Sequence, residues 1–294
     1  MLGKLWFGVK YLLGKDIPGL EIIVRPEDTF IVAYSKSGNT WMRFLIANLI
    51  ERHKPLALVD MDRIIPHCEG PMTRRDFAKM PSPRIINSHG AFNPAIKRVI
   101  YIVRDPRDVC VSLYHFQRKR MVIADDFPLD LFINRFLEGT PAIYGSWGEH
   151  VAGWLAPRQH SPGFLLLRYE DLLSDTPGEL ARIASFLKIK VTQEDLVAVA
   201  DRCSAKRMRE MEKSQGVKLA VTRKTRQDIP FVRSASSGGW RSVLSEDLVA
   251  KIESAWGPLM ATLGYDLSRP KADVGNAASE HGETLRAPLT TGSR

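Results

Sequence analysis

The sequence predicts an α/β fold with a mostly parallel central sheet flanked by helices. Two observations carry this. Short apolar runs at Phe30–Ala33, in "PRIINSHG", in "KRVIYIVRDPRD" and in "PGFLLLRYEDL" alternate with amphipathic segments of helical length, the pattern of strand–helix–strand units. The chain of 294 residues is 44% hydrophobic and 26% charged, ordinary for a soluble domain able to bury one large core. In such folds the ligand sits at the carboxyl ends of the strands.

At the N-terminus, "MLGKLWFGVKYLLGK" places Leu2, Leu5, Trp6, Val9, Leu12 and Leu13 on one helical face, interrupted by Lys4, Lys10 and Lys15. This is no signal-peptide core. Residues 1–15 read as an amphipathic helix that packs on its own domain, with a covering role over substrate or peripheral contact with a membrane surface as the alternatives. "PEDTFIVAY" then gives an acidic turn feeding a buried strand, and "NTWMRFLIANLIERH" the helix after it. The second strand lies in "PRIINSHG", the third ends at Val103, and a helix begins at Pro106, a residue suited to a first turn. The fourth strand is in "PGFLLLRYEDL". From about Thr176 the pattern becomes helical, through "TPGELARIASFLKI", "TQEDLVAVADRC" and "AKRMREMEK". Residues 214–240 are basic, bear Gly and Ser, and read as a long mobile loop. "SEDLVAKIESAWGPLMATLGY" opens with Ser245 as a helix cap and closes near Gly264. Beyond Ser268 the chain is polar and Pro-punctuated, so the organisation is one domain over 1–268 and a disordered tail over 269–294.

Lys and Arg outnumber Asp and Glu 42 to 33, a net charge of +9, which favours anionic partners. Cys68, Cys110 and Cys203 are scattered, with no C-x-x-C pair. That argues against a disulfide framework and a zinc site and points to a reducing, cytoplasmic setting. No stretch approaches the ~20 apolar residues of a membrane span.

The informative stretch is "FIVAYSKSGNTWMRF". A phosphate-binding loop reads G-x-x-x-x-G-K-[ST]. On that frame Ala33 takes the first glycine, Gly38 the second and Thr40 the hydroxyl, but Asn39 replaces the lysine, and Lys36 stands three residues earlier. A helix N-terminus still offers its free N–H groups to an anion. The usual grip on a magnesium-bound terminal phosphate is missing. The third strand agrees, because "VIYIV" ends in Arg104 where metal-using enzymes place an Asp. Asp105 follows, leaving a carboxylate reading open. These two segments imply a nucleotide whose charge is met by Lys and Arg.

At this point the residues resemble a known family, the cytosolic-type sulfotransferases that use 3'-phosphoadenosine 5'-phosphosulfate (PAPS). "YSKSGNTW" resembles their 5'-phosphosulfate loop, and "VRDPRDVCVSLYHF" their 3'-phosphate motif, with Arg104 and Ser112 eight residues apart. "YGSWGEHVAGW", "LLLRYEDL" and the late "FVRSASSGGWRSVL" resemble further segments, so the similarity spans about Phe30 to Tyr265. It implies a P-loop three-layer fold in a bacterial-like member, with PAPS as co-substrate and PAP as product. Lys36, Ser37, Gly38, Asn39, Thr40 and Trp41 would hold the phosphosulfate end, with Trp41 also stacking on adenine. Arg104, Ser112, Arg233 and Ser234 would hold the 3'-phosphate, Tyr169 would contact the base, and His89 in "INSHGAFNP" would be the catalytic base. Three positions depart from the family: Arg233 is followed by Ser234 and Ala235 rather than Lys and Gly, Ala205 replaces an aromatic facing Trp41, and Asn87 replaces a lysine.

Sulfuryl transfer chiefly needs alignment and charge stabilisation. Lys36 would neutralise the departing oxygen, and a neutral His89 would take the acceptor's proton. The acceptor would be a small-molecule or lipid-like hydroxyl, in a pocket formed by 53–95, 115–150 and 214–240. No metal is expected: His67 and Cys68 lack a second ligand pair. Two other classes stay on the table, a magnesium-dependent P-loop kinase and a basic nucleic-acid-binding module built on Lys206, Arg207, Arg209, Lys213, Lys218, Arg223, Lys224 and Arg226. The favoured reading involves no nucleic acid.

Overall fold

The computed structural model describes residues 22–70, 72–215, 222, 224–233 and 235–268. The expected helix at 1–15, the tail at 269–294, Ser234, Lys218 and Arg223 lie outside the described residues.

Four strands form one parallel sheet: β1 (Thr29–Ala33), β2 (Ile85–Ser88), β3 (Arg98–Val103) and β4 (Phe164–Arg168), in the order β2-β1-β3-β4. All four fall on the apolar runs. Side chains alternate between the faces, so Phe30, Val32, Val99, Tyr101 and Val103 enter one core while Ile31, Ala33, Ile100, Ile102 and Leu167 enter the other. Both faces are therefore apolar and must be covered by helices, which is why the runs read as continuous rather than alternating. One face is covered by α1 (Asn39–Ile50), α8 (Thr176–Leu187) and α9 (Gln193–Arg202). The opposite face is covered by α4 (Pro106–Lys119), α5 (Leu129–Leu137), α6 (Trp147–Leu155) and α11 (Glu246–Thr262). Short helices α2 (Met61–Ile64), α3 (Arg74–Lys79) and α7 (Tyr169–Ser174) fill connections, and α10 (Ala205–Gln215) flanks the first face.

Ala33 lies opposite Ile102, so the chain leaves β1 and β3 side by side. It then departs in opposite directions, towards β2 from one and β4 from the other. This switch point opens a crevice beyond the strand ends.

Local chemistry explains most helix starts. Pro106 occupies the first turn of α4 while Asp105 caps it, its carboxylate accepting from Arg107 N at 2.9 Å. Thr192 and Asp195 close a capping box on α9. Ser245 stands at the N-cap of α11 as expected, but its side chain makes no cap bond. Gly264 follows that helix with φ +76°.

The stretch expected to be a mobile loop differs from that reading. Helix α10 runs on to Gln215, a 3₁₀ turn spans Gly239–Ser242, and residues 224–233 are pinned by two oppositely charged side chains. The Lys119 ammonium, 1% exposed, donates to the carbonyls of Arg226 at 2.7 Å and Ile229 at 2.6 Å. The Glu212 carboxylate accepts from the amides of Phe231 at 2.5 Å and Val232 at 2.8 Å. Arg209 donates to the carbonyls of Val232 and Arg233. A cation on carbonyls and an anion on amides leave this backbone little need of water.

Candidate active site

The loop after β1 turns back on itself through two left-handed residues, Lys36 at φ +71° and Gly38 at φ +99°. Gly38 suits this conformation and Lys36 does not, so strain is stored at the lysine. Gly38 is required for a second reason. A Cβ there would stand 2.5 Å from the Tyr169 ring, which packs directly under the loop. The first turn of α1 contains no acidic residue, leaving its positive end open to an anion.

Three cations converge on this loop. Lys36 Nζ lies between two aromatic rings, 4.2 Å from the centroid of Phe116 and 4.4 Å from that of Phe231. Burial, reinforced by the positive charges of Arg104 and Arg233, lowers its pKa to about 7. Arg104 stacks its guanidinium over Tyr169 at 4.3 Å and donates to the carbonyls of Lys36 at 3.4 Å and Ser236 at 3.0 Å. Burial and then Arg104 also lower the pKa of Arg233. Groups that destabilise one another in this way mark a place prepared for negative charge.

His89 stands on the loop after β2, against the end of β1. Its Nδ1 is 2.7 Å from the carbonyl of Ala33, which fixes the ring proton on Nδ1 and leaves Nε2 as an acceptor. The side-chain nitrogen of Asn39 lies 3.3 Å from Nε2. Burial, then nearby His67, lowers the His89 pKa to about 4, against the opposing pull of Glu69. The ring is therefore neutral and a proton acceptor at ordinary pH. Its backbone is braced by His150, whose Nε2 donates to the carbonyls of His89 and Gly90, both at 3.0 Å, while Tyr101 OH donates to Nδ1.

Lys36, Gly38, Asn39, Thr40, Trp41, His89, Arg104, Ser112, Tyr169 and Arg233 all line one cleft, and Ser37 is buried beneath it. Sequence reasoning missed Phe116 and Phe231, the two rings around Lys36. It also missed Asp108, whose carboxylate accepts from the amides of Gly238 at 2.7 Å and Trp240 at 3.0 Å and anchors the late motif to α4. The acid after the polar strand end was the signal available for Asp108.

Residues 26–264 match the family model described as the sulfotransferase domain. The chain belongs to the sulfotransferase family. It is 30% identical over 271 residues to cytosolic sulfotransferase 12 of Arabidopsis thaliana, covering 85% of this chain and 82% of that protein. It is 32% identical over 254 residues to 3-beta-hydroxysteroid sulfotransferase of Cavia porcellus, covering 81% and 87%. Among solved structures, mouse sulfotransferase SULT7A1 complexed with PAP superposes with a TM-score of 0.65 at 25% identity, over 81% of this chain and 86% of that one. Retinol dehydratase in a complex with retinol and PAP gives 0.70 at 21% identity over 89% and 88%, a likeness of fold.

In this sulfotransferase the wall around Trp41 agrees with the departure noted at Ala205. Ala205, at the start of α10, lines the cleft with Trp41, so no ring opposes the indole from that position. Trp41 is itself fixed, donating from Nε1 to the carbonyl of Cys203 at 2.9 Å and meeting Tyr169 edge-on at 5.7 Å. Asn87 is fully buried in the sulfotransferase sheet, and neither of its amide atoms has a partner. His115 is half-buried against Tyr114, in keeping with packing. Among the described residues no three His, Cys, Asp or Glu side chains gather as a metal site.

Proposed function

We propose that this sulfotransferase moves a sulfuryl group from PAPS to a hydroxyl acceptor and releases PAP, with Lys36 at the leaving oxygen and His89 as general base. The observation that carries the reading is the meeting of Lys36, Arg104 and Arg233 on one cleft at the β1/β3 crevice, where both arginines add to the cost of charging Lys36. The lining fits a phosphorylated nucleotide. Ser37 Oγ and Arg104 Nε are buried with no partner among the described residues, donors that an anion at the α1 N-terminus would satisfy. Arg104, Ser112, Arg233 and Ser234 suit a 3'-phosphate, the Lys36–Trp41 loop the phosphosulfate, and Trp41 with Tyr169 the base.

Catalysis then follows from placement. The acceptor oxygen attacks sulfur as its proton passes to His89 Nε2, while charge growing on the phosphate oxygen meets the Lys36 ammonium. Asp105, the carboxylate a magnesium-dependent kinase would use, is engaged instead by Arg107 at 2.6 Å. This supports a reaction without metal. Arg209, from the run considered for nucleic acid, holds the pocket loop together with the neighbouring Glu212. The relatives' names, with steroid and retinol in them, favour a small amphiphilic hydroxyl compound acting in the cytosol, and residues 1–15 remain candidates for covering it or touching a membrane.

The test is binding of adenosine 3',5'-bisphosphate with and without EDTA, followed by an acceptor screen with labelled PAPS. Binding unaffected by EDTA and transfer lost in Lys36→Met are expected; binding that requires magnesium would favour the kinase, and salt-sensitive RNA affinity surviving Lys36→Met the binding module.

A further inference from the structure

Beside His89 stands a carboxylate–histidine pair that the sulfuryl-transfer scheme does not use. The segment 65–69 runs alongside β2, with a bridge between His67 and Asn87, and brings Glu69 against the base of the His89 loop. Glu69 Oε1 accepts from Ser88 Oγ at 2.8 Å and from the His89 amide at 3.1 Å. Its other oxygen is 2.6 Å from Nδ1 of His67. The His67 ring in turn lies 5.2 Å from the His89 ring, centroid to centroid. One buried carboxylate thus touches both the backbone of the base and a second histidine facing the base.

We propose that Glu69 and His67 are positioning residues for His89: Glu69 fixes its loop and supplies the negative charge that favours the protonated ring, and His67, held by Glu69, opposes it. This rests on His89 being the proton acceptor. The arrangement differs from a serine-protease triad, in which the acid bonds the histidine Nδ1 directly. Here Ala33 takes that proton, and the carboxylate acts through the amide and through space. His67 Nδ1 is 2.6 Å from the same carboxylate and its ring faces His89, so a proton on His67 would oppose one on His89. Although burial opposes ionisation of Glu69, the bond from His67 and the charges of His67 and His89 keep its pKa well below the ordinary range. The acid is an anion wherever the enzyme works.

The other groups around His89 are accounted for. His150, on α6, faces its carbonyl with an N–H, and burial keeps its pKa at about 4. Tyr144 bonds Glu69, and burial together with Glu69 keeps it a neutral phenol. Cys68 is likewise held as a thiol by burial. Asn39 is uncharged, and Lys36 lies between the Phe116 and Phe231 rings. The acid and the second histidine are the charges left to set the balance.

The two partners predict shifts of opposite sign. Glu69→Gln keeps an oxygen for Ser88 and the amide but removes the charge, so the His89 titration should fall. His67→Phe keeps a ring and removes the positive charge, so it should rise, each by about one pH unit. The readout is the His89 imidazole followed by NMR in the full-length protein, with the acid limb of kcat/KM alongside and adenosine 3',5'-bisphosphate affinity as the check on folding. Shifts of the same sign, no shift in either variant, or a rise in Glu69→Gln would overturn the proposal. Because His67→Phe does not disturb the bonds to Ser88 and His89, it decides the matter even where Glu69→Gln fails to fold. Turnover surviving in His89→Ala would remove the base assignment alone, since the NMR titration of His89 in the two partner variants judges the coupling independently.

Discussion

Lys36 carries its ammonium on a left-handed backbone and between two phenyl rings, and both features bear on how it works. With its unliganded pKa lowered to about 7 by burial and by two arginines, a large fraction of the free enzyme holds a neutral amine at pH 7 to 8. An anionic phosphosulfate restores the ammonium. Between pH 7 and the ordinary lysine value the complex therefore binds more protons than the free enzyme, so nucleotide affinity falls as pH rises through that window. Calorimetry in buffers of different ionisation enthalpy at pH 8 should show proton uptake on binding adenosine 3',5'-bisphosphate, and Lys36→Met should abolish it. In turnover the same substitution should cost roughly 100- to 1,000-fold in kcat, as removal of a charge-stabilising donor does. His89 gives the complementary expectation. Its pKa of about 4 places the acid limb of kcat/KM below pH 5 rather than near the free-histidine value of about 6.5. A limb near 6.5 would contradict the buried, neutral ring.

At the scale of elements, the pocket's third wall is a short segment held by side chains far away in sequence. Lys119 ends α4, Glu212 lies on α10, and between them they fix the backbone that brings Phe231 and Arg233 to Lys36. Glu212→Ala would leave two amides without their acceptor and free Arg233 from its position. The KM for PAPS should rise about tenfold, the equivalent of ~1.4 kcal/mol, while kcat with saturating PAPS changes little. Equal loss in kcat would mean that the loop acts on the chemistry itself. This wall also marks where sequence reading stopped. Lys36, Gly38 and Arg104 stood out because each closely follows an apolar run, so finding the strand locates the residue. His89, Trp41, Ser112 and Tyr169 were placed through the family resemblance. Phe116 and Phe231 were not found, because two phenylalanines 115 positions apart give no local sign that they share a lysine. The contacts that hold residues 224–233 were not legible either, because a polar, aperiodic stretch gives no sign of the buried ammonium and carboxylate that bond its backbone.

For the molecule as a whole, one buried network ties the sheet to α11 beside the candidate anion site. Arg107 donates to Asp105 at 2.6 Å, to Glu253 on α11 at 2.6 Å and to the carbonyl of Asp266 at 2.9 Å, with its guanidinium 4.0 Å from the Trp240 ring. Glu253 also accepts from the amide of Ser268. The network thus joins the end of β3, the start of α4, the late motif at Trp240 and the end of the described chain. Removing one member strands the others. Glu253→Ala would leave Arg107 Nη1 without its partner while Asp105 and the Asp266 carbonyl still hold the guanidinium, a loss of about 1–3 kcal/mol. Replacement by Gln, which keeps an acceptor, should cost less. Chemical denaturation should rank wild type above Glu253→Gln and Glu253→Ala last. Nucleotide affinity measured well below the denaturation midpoint should fall in the same order, because Asp105 and Trp240 flank Arg104 and the late motif. A large loss of stability with unchanged affinity would show that the anion site is built locally by the β1 loop and α4, and that α11 braces the fold without shaping the cleft.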